Sequence, residues 1–258
     1  MLILLLILRR NLKMTDKKGV FDDLTVAILA FPGAEELDVF GPYEVFWWIS
    51  TFQNYVPDNP INQEQFQKTF RAHEGTNPHV FTVGPTTDQY ELSSGSKFSP
   101  TYSYDNAPEA NVVLVPGGHG SAKFDELKKN GTFDYVKKVA TSSKNKYIMA
   151  VCSGSFILGK LGLLDNQYSS VNHTLYDSFE EQFPKTKLVR DANMSFVQDG
   201  KLLTSNAPAS GIAVALRLVA YHCGTGYKNN IKNLLSYAPA TQIKGVVADG
   251  NTLKEIMV

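Results

Sequence analysis

The sequence has 258 residues, and its 25 basic side chains balance 25 acidic ones, which leaves no basic excess of the kind that binds nucleic acid. Hydrophobic residues make up 43% of the chain, enough for a substantial core but too few for a membrane protein. There are only two cysteines, without Cys-x-x-Cys or Cys/His ligand spacing, so neither a disulfide framework nor a structural zinc site is expected. A reducing, cytoplasmic location is therefore indicated.

The amino-terminal residues are unusually apolar. Residues 1–8 contain only Met, Leu and Ile, and Arg9 and Arg10 follow them. This run is far shorter than the roughly 20 residues that cross a bilayer, and it lacks the positive region and the cleavage site of a secretory signal. We predict that residues 1–23 form an extension outside the fold, with membrane association through residues 1–8 as the alternative.

The rest of the chain alternates short apolar runs with helical patterns. The predicted strands are residues 24–30, 79–83, 111–115, 146–151, 169–172 and 202–204, and the predicted helices are residues 37–50, 124–140, 208–223 and 229–237, with a short hairpin in 88–103. This alternation is typical of an α/β fold, a three-layer sandwich in which a mostly parallel sheet lies between helices. Ligands of such sheets bind beyond the carboxyl ends of the strands, which gathers the loops at residues 31–38 and 116–120 and the segment around Cys152.

The alternating series continues without a break, so we expect residues 24–237 to form a single domain. Within it, residues 52–78 are polar and rich in Gln and Asn, and we predict that they form an insertion or lid. Pro42 is expected in the first turn of its helix, where a missing amide hydrogen costs nothing. Residues 238–258 are expected to be a loosely structured tail.

Cys152 lies between an apolar run and a helical pattern of small residues, and this pattern is typical of a nucleophile elbow, a sharp turn between a strand and a helix. Ala150 and Gly154, two residues to either side, are small, as the sharp turn requires. A cysteine there lies at a helix N-terminus, where free amides and the helix dipole stabilise a thiolate, so we expect a lowered pKa. The alternative interpretation is a small buried hydrophobe in a core strand.

A glycine-rich loop at residues 116–120 supplies groups that such a nucleophile can use. It has neither the G-x-G-x-x-G spacing of a dinucleotide site nor the Gly-Lys-Ser/Thr of a Walker loop. Paired with an elbow, the loop around Gly117 and the backbone amides of Gly118 and Ser153 are predicted to cradle developing negative charge.

Several titratable side chains lie near these loops. Asp38 either caps the helix that follows it or points into the site, where it can shuttle a proton. Glu44 is the alternative inward-facing acid, or else a solvated side chain. His173 follows the elbow helix and is a candidate to activate the cysteine, although a lone histidine is more often structural. His119 lies in the glycine loop, where it can contact a ligand, and no ligand spacing implies a metal or an organic cofactor.

These motifs, in this order, resemble the ThiJ/PfpI superfamily. The resemblance covers residues 24–237 and rests on four segments, namely Glu-Glu-Leu-Asp at 35–38, Pro-Gly-Gly-His-Gly at 116–120, Ala-Val-Cys-Ser-Gly-Ser at 150–155 and Val-Asn-His at 171–173. It implies the flavodoxin-like fold of the class I glutamine amidotransferases. It also implies a small-molecule substrate and a homodimer, and it implies no cofactor.

Within this superfamily, residues 37–46 and 151–164 most resemble the isonitrile hydratase branch. The resemblance implies that Cys152 attacks the isonitrile carbon and that Asp38 is the general acid and base, so that the product is an N-substituted formamide. Ser153 takes the position where those enzymes carry a threonine.

The segment at residues 171–174 departs from this branch, because Val-Asn-His-Thr stands where the branch has Thr-Thr-His-Trp. Two alternatives therefore stay open. One is a glyoxalase-, deglycase- or peptidase-like hydrolase of the same fold, although Ser153, rather than a histidine, follows the cysteine, which argues against a PfpI-type peptidase. The other is a redox or stress sensor that acts through oxidation of Cys152. We expect no helix-turn-helix domain and no nucleic-acid partner.

Overall fold

A computed structural model of the protein describes residues 24–52, 79–237 and 244–257. Its strands are β1 (Val26–Leu29), β2 (Val80–Gly84), β3 (Tyr90–Glu91), β4 (Lys97–Phe98), β5 (Tyr102–Ser103), β6 (Val112–Val115), β7 (Tyr147–Val151), β8 (Tyr168–Ser169), β9 (Lys187–Leu188), β10 (Phe196–Asp199), β11 (Leu202–Ser205), β12 (Lys244–Asp249) and β13 (Thr252–Met257). Its α-helices are α1 (Glu36–Phe52), α2 (Phe124–Lys129), α3 (Thr132–Thr141), α4 (Gly154–Lys160), α5 (Tyr176–Gln182), α6 (Ser210–Cys223) and α7 (Thr225–Leu234), and two 3-10 turns span His119–Ala122 and His173–Leu175.

In the described segments nine strands form the main sheet, in the order β13-β12-β10-β11-β7-β6-β1-β2-β5. Neighbouring strands are parallel except in the pairs β10–β11 and β12–β13. Helices α1, α6 and α7 pack against one another, and α3 and α4 pack against the central strands β6 and β7. The predicted α/β class, with a mostly parallel sheet flanked by helices, is confirmed.

The central strands β1, β6 and β7 explain why the site forms where it does. Every residue of β1 and β6 is buried, as is β7 from Ile148 onward. A parallel strand is covered on both faces, which is why these runs consist of Val, Ile, Leu, Ala and Met. Their parallel registers bring their carboxyl ends to one edge of the sheet, where residues 30–38, residues 116–122 and Cys152 follow them.

The C-terminal segment differs from the sequence prediction. Residues 244–257 form the hairpin β12–β13, which extends the sheet beside β10, and not a loose tail. Val246 packs in a small apolar cluster with Val197, and Gly245 lies so close to the Phe196 ring that no side chain fits there. The apolar residues of β12 are few and adjacent, so the sequence lacks the alternation that marks a half-buried strand.

Smaller differences concern three predicted elements. The helix predicted at residues 124–140 is divided into α2 and α3 at Gly131, which adopts a left-handed φ of +82°. Helix α1 begins at Glu36, so Pro42 lies inside the helix and beyond its first turn. Of the strand predicted at residues 169–172, only residue 169 lies in a strand, at the end of β8.

Two predicted segments lie outside the described residues. These are the amino-terminal extension at residues 1–23 and all but the first residue of the predicted insertion, since residue 52 ends α1. Among the helices of the described parts of the chain, none combines the length and the apolar character of a membrane span.

Candidate active site

Cys152 occupies a sharp turn between β7 and α4. Its backbone is left-handed, with φ +56°, a conformation that costs energy for any residue with a side chain. The turn is held by the Cys152 amide, which donates to the Ser205 carbonyl at 2.9 Å. A Cβ at Gly154 would collide with the carbonyl oxygen of Val115. The small residue two positions after the cysteine is therefore required by close packing against the neighbouring strand, as the elbow motif predicts.

Asp38 lies in the first turn of α1 and is completely buried. Its Oδ2 accepts a hydrogen bond from the Gly117 amide at 2.7 Å, whereas its Oδ1 has no hydrogen-bond partner among the described residues. Burial raises the pKa of Asp38 to about 7; the Gly117 hydrogen bond opposes this rise and the charge of Glu35 adds to it. A carboxyl group of this pKa can both donate and accept a proton near neutral pH.

Ser153 links the elbow to the glycine loop. Its Oγ accepts a hydrogen bond from the Gly118 amide at 3.0 Å. The Ser121 hydroxyl lies 2.9 Å from the same oxygen and 2.8 Å from the Gly118 carbonyl. A Cβ at Gly117 would lie only 2.6 Å from the Ser153 Oγ and 3.0 Å from Asp38 Oδ2, so the loop approaches both side chains as closely as bare backbone allows.

The backbone amides of the loop therefore have uses other than the predicted anion cradle. Gly117 donates to Asp38, Gly118 donates to Ser153, and the Ser153 amide hydrogen-bonds the Cys152 thiol. Each donor that the sequence suggested for an oxyanion is already engaged inside the site. In this arrangement the loop holds the proton-carrying carboxyl group and the serine in place.

The pKa of Cys152 also differs from the sequence expectation. Burial raises it to about 11, and the negative charge of Asp38 adds to the rise, while hydrogen bonds from Asn172 and Ser153 oppose it. Helix α4 has only seven residues, and its N-terminus does not offset the loss of water around the sulfur. The thiol is therefore protonated at neutral pH, and the sulfur becomes a thiolate only when a base removes this proton.

Asn172 is the side chain at this site that the sequence analysis missed. Its Nδ2 lies 3.5 Å from the Cys152 Sγ, and its Oδ1 accepts from the Thr174 amide. His173, the residue that the sequence favoured, is exposed in the 3-10 turn that follows. An Asn two residues before a Thr is a common cap of a helical turn, and this pattern was the available signal.

The remaining candidates have other contacts. Glu44 is exposed and accepts a hydrogen bond from the Trp48 indole at 2.8 Å, and His119 is exposed with its Nδ1 3.1 Å from the Ser93 hydroxyl. No hydrogen bond or ion pair within the described segments joins Glu44, His119 or His173 to Cys152 or Asp38. A catalytic role for these three residues stays a prediction.

Metal ligation has no support in the described part of the chain. It contains no group of three or more His, Cys, Asp or Glu side chains that could hold a metal ion. What the arrangement provides is a half-buried thiol, a carboxyl group that titrates near neutral pH, and a network of amides and hydroxyls that fixes both.

Comparison with known proteins gives the following similarities. The sequence model of the DJ-1/PfpI family matches residues 24–221. Isonitrile hydratase of Pseudomonas putida is 26% identical to this chain over 220 residues, which cover 84% of this chain and 80% of the hydratase. The transcriptional regulator GbdR of Pseudomonas aeruginosa is 27% identical over 193 residues, which cover 74% of this chain but only 48% of the regulator.

Solved structures share the fold. A ThiJ/PfpI family protein from Pseudomonas syringae superposes with a TM-score of 0.64 at 21% identity, over 88% of this chain and 80% of that one. DJ-1 of Schizosaccharomyces pombe superposes with a TM-score of 0.59 at 15% identity, over 83% of this chain and 100% of that one. At these identities the likeness concerns the architecture alone.

Proposed function

This chain belongs to the DJ-1/PfpI family, and we propose that it is a cysteine-dependent hydratase that adds water to the carbon of an organic isonitrile. Cys152 is the nucleophile, Asp38 is the general acid and base, and the product is an N-substituted formamide. The similarity to an isonitrile hydratase over most of both chains supports this assignment.

The observation that carries the proposal is that the backbone amides at the glycine loop and the elbow already donate hydrogen bonds within the site. A carbonyl substrate attacked by a thiol develops an oxyanion, which needs free amide donors. Here the amides of Gly117, Gly118 and Ser153 are engaged, whereas Oδ1 of Asp38 has no hydrogen-bond partner within the described segments. An isonitrile carbon carries a lone pair, so attack on it requires a proton donor at carbon and generates no oxyanion.

In the proposed reaction, Asp38 transfers protons and each proton that leaves a group is accounted for. The Asp38 carboxylate takes the Cys152 proton as the S–C bond forms, and the resulting acid delivers that proton to the same carbon, which gives a thioimidate. Asp38 then removes a proton from water as the C–O bond forms, and this proton passes to nitrogen. Cleavage of the C–S bond, with formation of the carbonyl, returns the hydroxyl proton to sulfur. The balance is one water added to one isonitrile, and nothing is oxidised or reduced.

A role as a redox sensor fits this geometry less well. Selective oxidation by peroxide requires a thiolate at neutral pH and access to solvent. Cys152 is half-buried, and burial with the charge of Asp38 raises its pKa to about 11. The same features suit a nucleophile that is deprotonated only when its neighbouring base acts.

The test is turnover of n-butyl isonitrile, with methylglyoxal as the competing substrate. We expect the wild-type protein to form the formamide, seen by NMR, and expect Cys152→Ala and Asp38→Asn to slow it at least about 100-fold, the usual contribution of a nucleophile or a general acid. Cys223→Ala, which removes the other half-buried thiol, is the matched control and is expected to retain activity. Turnover of methylglyoxal alone, or isonitrile turnover unchanged in Cys152→Ala, would reject the hydratase.

We further propose that the enzyme is cytoplasmic and homodimeric, and that it acts on a small molecule without binding nucleic acid or a membrane. The balanced charge of the chain supports the absence of nucleic-acid binding. The regulator GbdR is matched over 48% of its length, so the similarity covers only about half of that protein. Light scattering reports the dimer directly, and a shift of labelled duplex DNA in a gel would contradict the proposed partner class.

A further inference from the structure

The orientation of the Asn172 carboxamide is fixed by its neighbours. Its Oδ1 accepts hydrogen bonds from the Thr174 amide at 3.1 Å and from the Thr174 hydroxyl at 2.8 Å. A backbone N–H can only donate, so the atom that faces it has to be the amide oxygen, and the usual ambiguity between the two ends of an Asn does not arise. The NH₂ group is therefore the end that faces the Cys152 sulfur, at 3.5 Å.

The backbone that carries Asn172 is itself held on two sides. The Ser155 hydroxyl of α4 donates to the Ser170 carbonyl at 2.7 Å, and the Ser170 amide donates to the Thr204 hydroxyl of β11, also at 2.7 Å. Val171 is completely buried between them. A side chain on this segment has a fixed position relative to the elbow, which is the condition for a preorganised donor.

The sulfur needs such a donor because its other surroundings oppose a negative charge. Burial and the charge of Asp38 both disfavour the thiolate, and among the described residues the Asn172 side chain and the amide and hydroxyl of Ser153 donate to it. The Ser153 amide belongs to the backbone of the elbow and is present whatever the sequence. Asn172 is the donor that comes from outside the elbow, on a separate segment of the chain.

We propose that Asn172 is a catalytic residue that donates its carboxamide N–H to the Cys152 sulfur as the thiolate forms, and that Thr174 is the positioning residue that aims it. In the proposed hydratase reaction the same donor stabilises the sulfur twice, when it attacks the substrate carbon and when it leaves that carbon. The inference rests on the proposed function in one respect only, that Cys152 is the nucleophile.

Asn172→Asp removes the donor with little change of shape. The aspartate keeps the acceptor for Thr174, but it replaces the NH₂ group by an oxygen and adds a negative charge near the sulfur, so Asn172→Ala, which removes the donor without adding a charge, is measured beside it. We expect alkylation of Cys152 by iodoacetamide, followed by mass spectrometry between pH 7 and 10, to slow about tenfold or more, because one unit of thiol pKa is a factor of ten in thiolate. The rising limb of the rate profile is expected to move to higher pH.

Companion variants separate this role from a structural one. Asn172→Ala is also expected to slow alkylation of Cys152, and Thr174→Val is expected to slow it to a smaller extent. In both variants the rising limb of the rate profile is expected to move to higher pH. Asn193→Ala, an exposed Asn in a loop, controls for general effects of substitution. The melting temperature of each variant shows whether the fold is intact.

Wild-type alkylation rates in both Asn172→Asp and Asn172→Ala would overturn the proposal, as would a shift of the profile in His173→Ala in place of the Asn172 variants. The alkylation measurement does not involve an isonitrile. If the wild type hydrates no isonitrile but both Asn172→Asp and Asn172→Ala still slow alkylation, the proposed function fails and the assignment of Asn172 stands.

Discussion

Asp38 combines two properties that a solvated carboxyl group does not have. One oxygen is fixed by the Gly117 amide, and the other has no hydrogen-bond partner in the described part of the chain. Complete burial places its pKa at about 7, where protonated and ionised forms are equally populated near neutral pH. The consequence is that a negative charge is buried whenever Asp38 is ionised, with the Gly117 hydrogen bond offsetting only part of the desolvation cost.

The pH dependence of kcat/KM is the first consequence. In the proposed reaction, the reactive form of the pair carries one proton, on the Cys152 thiol, and Asp38 is the base. Below about pH 7 Asp38 is protonated and cannot accept the thiol proton, so we expect activity to fall as pH decreases through about 7. Glu35→Gln removes a negative charge that raises the pKa of Asp38, and we expect this variant to move the acid limb to lower pH. An acid limb that stays in place in Glu35→Gln and survives in Asp38→Asn would show that another group titrates there.

Stability is the second consequence, and it has the opposite sign from activity. The pKa of Asp38 is raised from 3.8 to about 7 on folding, so its contribution is favourable below pH 4 and is lost as pH rises through 7. With 1.36 kcal/mol for each unit, the ionised group costs up to about 4 kcal/mol at pH 8. Asp38→Asn is therefore expected to raise the free energy of unfolding at pH 8 and to lose this advantage near pH 4. Urea unfolding at both pH values measures the difference, and an equal change at the two would refute the linkage.

The glycine loop between β6 and the 3-10 turn has no room for an additional side chain at Gly117. Gly117→Ala would place a Cβ 2.6 Å from the Ser153 Oγ and 2.7 Å from its amide nitrogen, so the loop or the elbow has to move. We expect this variant to lose at least about tenfold in kcat/KM, because a displacement below 1 Å already disturbs a preorganised site. Gly226→Ala, in helix α7 with nothing within 4 Å of the added carbon, is the matched control and is expected to retain activity. Equal activity of both variants would mean that the loop does not position the site.

The central elements of this fold were predictable because their sequence patterns are local. β1, β6 and β7 are short, uninterrupted apolar runs, and the elbow at Cys152 is marked by the small residues beside it. The partner of the sulfur was not predictable, because Asn172 and His173 are adjacent and the 3-10 turn decides which of them faces inward. Nor was the engagement of the Gly118 amide, since it depends on a serine 35 positions away.

The C-terminal hairpin could not be recognised for a different reason. β12 is recruited by a partner strand, β10, and offers only Val246 as a well-buried side chain, so its own sequence carries little pattern. Its fit is provided instead by Gly245 against the Phe196 ring, a contact between residues far apart in the chain. Whether such a segment forms a strand depends on its packing against neighbouring strands more than on its own sequence.

Removal of residues 244–258 tests how much the whole molecule depends on that hairpin. The truncation uncovers one side of β10 and its buried residues Phe196 and Val197. We expect the free energy of unfolding to fall by several kcal/mol, at about 1.5–3 kcal/mol for each large side chain that is exposed. Lys254→Ala, which removes an exposed ion pair with Asp249, is expected to leave it nearly unchanged. A truncated chain as stable as the intact one would mean that β12 is not part of the core.

The contacts of the site join residues that are remote in sequence. The Gly117–Asp38 hydrogen bond spans 79 positions, the Gly118–Ser153 bond spans 35, and the Asn172–Cys152 bond spans 20. Contacts of this kind form only after long loops have closed, and they make folding slow. Until then Cys152 is an ordinary thiol, with a pKa of about 8.5 and no adjacent base. Completion of the fold therefore makes the Cys152 thiol less reactive toward general electrophiles, and at the same time it supplies Asp38 as a proton acceptor. In the proposed reaction, the folded thiol then reacts readily only with a substrate that engages both Cys152 and Asp38.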